Sequence, residues 1–178
     1  DRTGASAEME KLLEGAEASE LTGRIKVSLA QMLLQTGNEV GARSLVEEVL
    51  AEDSGQFDAL IMRAAWQVDG DETDAAIATL RSALDQDPQN VRAMTLMSQA
   101  YIRAGNRDLA RDFLSLAVEA SGEAPAESVR YARFLSDEER YAPAEQILIA
   151  SGCSWAGNQP YRTRARYRGG DHLSGRHL

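Results

Sequence analysis

Between Val91 and Gly122 the chain reads VRAMTLMSQAYIRAGNRDLARDFLSLAVEASG, with apolar residues returning every third or fourth place on both sides of a Gly-Asn pair. That spacing predicts two amphipathic helices joined by a tight turn. The same pattern recurs at a fixed distance. Alanine stands at Ala42, Ala76, Ala110 and Ala144, each 34 residues from the last. Twelve places before each come Ala30, Ala64, Ser98 and Ala132, all small; four places after come Val46, Leu80, Leu114 and Leu148, all aliphatic. Three further on stand Val49, Ala83, Ala117 and Ser151. Four columns moving together at one period mark an internal repeat of helical hairpins.

The columns have a simple physical meaning. Two helices approach to roughly 8–10 Å only where the side chains at their crossing are small. The Ala/Ser column marks that crossing on the first helix of each pair, the second alanine column marks it on the other, and the aliphatic column fills the space between pairs. Gly37-Asn38 and Gly105-Asn106 supply the turns, since glycine takes up positive φ without steric cost. In the second unit the glycine, Gly70, falls one place early, before Asp71; the fourth unit has Glu139-Arg140 and no glycine. Asp87-Pro88 closes the second unit, because the residue before proline is pushed out of the helical region.

These features resemble the tetratricopeptide repeat family: the small/Ala pairs 30/42, 64/76, 98/110 and 132/144, Tyr101, the Gly-Asn turns and Asp87-Pro88. The third unit, with Met97-Ser98, Tyr101, Gly105 and Ala110, matches best. Lys26, Leu60, Met94 and Ser128 stand where the family often has tryptophan. The resemblance implies an all-α solenoid, a right-handed superhelix of about four helical hairpins over 23–56, 57–90, 91–124 and 125–152. Residues 1–22 would hold a leading helix, Met9–Ala16, left from a preceding unit of a longer array, and 153–178 an irregular basic tail. In the family the first helix of each pair lines a concave groove that holds peptide segments. Carried over, the groove positions are Arg24, Val27, Gln31 and Leu34; Asp58, Ile61, Ala65 and Asp69; Arg92, Thr95, Gln99 and Arg103; and Val129, Arg133 and Asp137. The candidate contacts are the polar ones among them: Arg24, Gln31, Asp58, Arg92, Gln99, Arg103 and Arg133. Arginine and glutamine bind carboxylates and peptide backbone with directional hydrogen bonds; the competing reading is ordinary pairing with neighbouring carboxylates. Some family members clamp a terminal carboxylate with Lys, Asn and Arg, but Val27, Gln31, Met62, Arg92 and Leu96 occupy those places here.

Charge sharpens this picture. The net charge is −9, yet five arginines and one aspartate after Gly152 leave the first 152 residues at −13. An acidic body argues against non-specific nucleic-acid or anionic-membrane binding, and no apolar run approaches the roughly 18–20 residues of a membrane span. His172, His177 and Cys153 all lie in the tail, so the repeats offer no His or Cys for acid–base, nucleophilic or metal chemistry. No phosphate-cradling glycine motif occurs. The expectation is a non-catalytic protein-interaction scaffold, with no cofactor and no metal, holding a protein or peptide partner. Trp66 and Tyr101 could stack on a ligand, but at helical spacing inside apolar runs they read as core, as do Met94 and Met97. Two alternatives stay open: nucleic-acid contact through Tyr161–Arg168, where arginines and aromatics alternate, and self-assembly through an uncapped fourth repeat.

Overall fold

The computed structural model describes Lys11 and residues 19–152. The expected Met9–Ala16 helix, the arginine-rich tail, Cys153 and both histidines lie outside the described residues. Within them run eight helices: α1 Glu20–Gln35, α2 Glu39–Glu52, α3 Phe57–Asp69, α4 Thr73–Gln86, α5 Val91–Arg103, α6 Arg107–Ala120, α7 Pro125–Asp137 and α8 Tyr141–Ala150. They pack as four hairpins, α1–α2, α3–α4, α5–α6 and α7–α8, each second helix also touching the first helix of the next pair. Helices α3 and α5, the first helices of the second and third pairs, also touch directly.

The small columns are the closest-packed places in the chain. Ala30, Ala42, Ala64, Ala76, Ser98 and Ala110 expose nothing, and Ala132 and Ala144 are also buried. Val46, Leu80, Leu114 and Leu148 are buried between them. Ser98 is tolerated because its hydroxyl donates to the Thr95 carbonyl at 2.7 Å, leaving no unpaired polar atom in the crossing. One apolar core runs from Val27 to Phe134, and the fourth unit closes around a smaller cluster of Ala132, Leu135, Ala144 and Leu148. Where the family often has tryptophan, the Lys26 ammonium donates to Glu48 (2.5 Å) and Glu52 (2.8 Å) of its own hairpin. Its stem is free to lie along apolar surface while its head stays paired.

The turns correct one expectation. Gly70 does not make the second turn; it caps α3 at φ −84°, and Asp71 takes the left-handed conformation. Gly37 (83°), Asp71 (59°), Gly105 (76°) and Glu139 (60°) stand 34 residues apart, one per hairpin. At each, the following amide donates five residues back: Asn38 to Leu33, Glu72 to Gln67, Asn106 to Tyr101 and Arg140 to Leu135. This is the Schellman closure. The hairpin geometry therefore imposes the conformation whether or not a glycine is present. Glu139 is strained by it, since a side chain in the left-handed region costs roughly 1–2 kcal/mol. Glu139→Gly should raise stability by about 0.5–1 kcal/mol, the strain relieved less the added freedom of the unfolded chain. Urea unfolding monitored by circular dichroism checks this; an unchanged or lower midpoint would refute it.

Candidate interaction surface

The first helices α1, α3, α5 and α7 present the candidate contacts. Arg24, Gln31, Asp58, Arg92, Arg103 and Arg133 are exposed, and Gln99 is half-buried. The Arg103 guanidinium sits 2.5 Å from Asp71 and 3.9 Å from Asp69, carboxylates of the preceding unit. Arg24, Arg92 and Arg133 make no ion pair among the described residues. Not all of the fifteen groove positions are open. Val27, Ile61 and Thr95 are buried, at 3%, 1% and 9% exposure, and Val129 alone in that column is open, at 49%. Ala65 and Leu34 are half-buried, and Asp69 and Asp137 are exposed.

The aromatic and methionine residues behave as core. Tyr101 is buried and stacks on Phe113, with centroids 5.7 Å apart and planes 22° apart. Met94 and Met97 are buried. Trp66 is half-buried against the core, with the Arg43 guanidinium 5.0 Å above its ring. None of them faces the groove as a free stacking plate.

A charged cluster between the third and fourth units was not singled out in the sequence. Glu138, at the end of α7, accepts from Arg111 Nη2 at 2.9 Å and from Arg107 Nε at 3.1 Å. Arg107 also lies 4.7 Å above Phe134. Burial pushes the Glu138 carboxyl up, but the hydrogen bonds from Arg111 and Arg107 outweigh it and hold it below the usual carboxylate range. The hydrogen bond to Glu138 correspondingly raises Arg111. Nearby, Thr95 donates to Glu127 at 3.1 Å, and Arg130 pairs with the same carboxylate. The sequence signal was a carboxylate one place before the fourth turn, 27 and 31 residues after Arg111 and Arg107. It becomes legible only once the 34-residue superposition is drawn.

Residues 68–127, the heart of this array, match the family model for the tetratricopeptide repeat. They are tetratricopeptide repeats. Solved structures carry the same fold across the described units. A MamA segment from Desulfovibrio magneticus RS-1 aligns at a TM-score of 0.68 and 17% identity, covering 85% of this chain and 86% of that one. A crystal structure of MamA aligns at 0.69 and 15% identity, covering 85% and 86%. PilF of Pseudomonas aeruginosa aligns at 0.72 and 18% identity, covering 89% of this chain and 70% of that one. No curated protein matches the sequence. At these identities the likeness is one of fold. The tetratricopeptide architecture is that of a protein-interaction scaffold, and none of the described helices is long and apolar enough to cross a membrane.

Proposed function

We propose that this tetratricopeptide array is a non-catalytic scaffold that holds an extended, acidic segment of a protein partner along its first helices. One observation carries the reading: Arg24, Arg92 and Arg133, all at groove positions, are exposed and unpaired among the described residues of a strongly acidic body. A guanidinium held open in this way presents its full fork of donors to a carboxylate. Gln31 and Gln99 would supply backbone contacts beside it. Asp58 and the paired Arg103 would set where an acidic segment can and cannot lie.

The test is a differential capture from an extract of the source organism. Arg92→Glu with Arg133→Glu is compared with the wild type and with Arg81→Glu, an exposed arginine on α4 away from this face. A partner that weakens at least about tenfold with the groove pair, more at low salt than at high, and is kept by Arg81→Glu is the expected result. Equal retention or equal loss by the two variants would end the groove reading. In that case self-association, read from a concentration-dependent mass, becomes the working account.

A further inference from the structure

We infer that the open end of the fourth unit, around Val129 and Ile149, docks an amphipathic helix of another protein, one that carries an arginine or lysine after two apolar contacts. This does not rest on the groove reading. Three interfaces inside the chain show what such an end binds. Val27, Ile61 and Thr95 are buried, whereas their equivalent Val129 is 49% exposed. Thr95 on α5 meets Glu127 on α7, the next first helix, and Glu47 on α2 lies 3.7 Å from Arg63 on α3, again the next first helix. The residue equivalent to Glu47 in the fourth unit is Ile149, 68% exposed.

Charge specifies the rest. Asp69 and Asp71, at the turn of the second hairpin, hold Arg103 of the third. Asp137 and Glu139 stand at the same two places in the fourth unit, exposed and without an ion pair among the described residues. Glu145 stands where the third unit has Arg111, so this end carries acid where its predecessor carries base. A fitting helix thus has apolar residues four apart, facing Val129 and Ile149, and a base ten residues after the first. Among the chain's own first helices only α5 has that pattern, in Ala93, Met97 and Arg103.

The sequence after Gly152 does not supply it. Continued at the same period, it puts Arg166 in the small column and Asp171 at the arginine's place, with Gly169-Gly170 between. A second copy does not supply it through α1 either, where Gln35 stands at the basic place.

The probe is a fluorescent synthetic peptide of residues 91–122, titrated into the full chain. Saturable binding is expected, weakened at least about tenfold by Asp137→Lys with Glu139→Lys and recovered when the peptide carries Arg103→Glu. Val129→Asp should abolish it while leaving the circular dichroism unchanged. Absence of saturable binding overturns the proposal, as does binding insensitive to the acid reversal or not recovered by the swapped peptide. So does binding that appears only when residues 153–178 are removed, which makes the chain's own end the occupant. Self-association lost with Val129→Asp, read by sedimentation, would assign the face to a second copy and also overturn it.

Discussion

Ala110→Leu is expected to lower stability by about 1–3 kcal/mol, because the added atoms have no space in the α5–α6 crossing. Ala110 exposes nothing and sits in the same core as Met97, Tyr101 and Leu114. Ser98, its partner in the small column, is equally closed, so the leucine must push the helices apart or force a neighbour off its rotamer. The damage would spread, since α5 also packs on α4 and α6 on α7. Arg103→Ala is the control. Its side chain is 39% exposed and its pairing with Asp71 lies at the surface, where an ion pair contributes at most about 1 kcal/mol. Urea unfolding of both variants decides the matter. Equally mild effects would mean the crossing is not where the small columns put it.

Glu138→Gln is expected to cost about 1–2 kcal/mol near neutral pH, the loss of charge-assisted hydrogen bonds to a half-covered Arg111. Glu138 is 11% exposed and Arg111 26%, so water compensates only in part. The sign of the pH dependence follows from the depressed carboxyl. A carboxylate held below its unfolded value contributes its full stability above that unfolded value, near pH 4.3, and loses it as pH falls through the folded value. The difference between wild type and variant should therefore be constant above about pH 5 and shrink toward zero in more acid solution. A difference that persisted undiminished in acid would show that shape, rather than the charge on Glu138, joins the third unit to the fourth.

Much of the architecture could be read in one dimension. The period of 34, the eight buried positions at 30/42, 64/76, 98/110 and 132/144, and the end of α4 at Asp87-Pro88 all follow from local rules. Each depends on which face of a single helix a residue occupies, or on what its own backbone permits. The core assignment of Tyr101, Met94 and Met97 was legible for the same reason. The groove positions were legible only as a family expectation, and three of them, Val27, Ile61 and Thr95, proved to be buried.

What the sequence determined by itself is therefore the repeat, its helices and the crossings where only small residues fit. The tertiary structure decided four things. Asp71 and Glu139 take left-handed backbone, Arg103 is spent on Asp71, Glu138 gathers Arg107 and Arg111, and the fourth unit ends on an open Val129. Helical periodicity states which way a side chain points relative to its own axis, and it is written in residues three or four apart. Which group stands opposite is set by the stacking of one hairpin on the next, between residues about thirty apart, where no local pattern reaches.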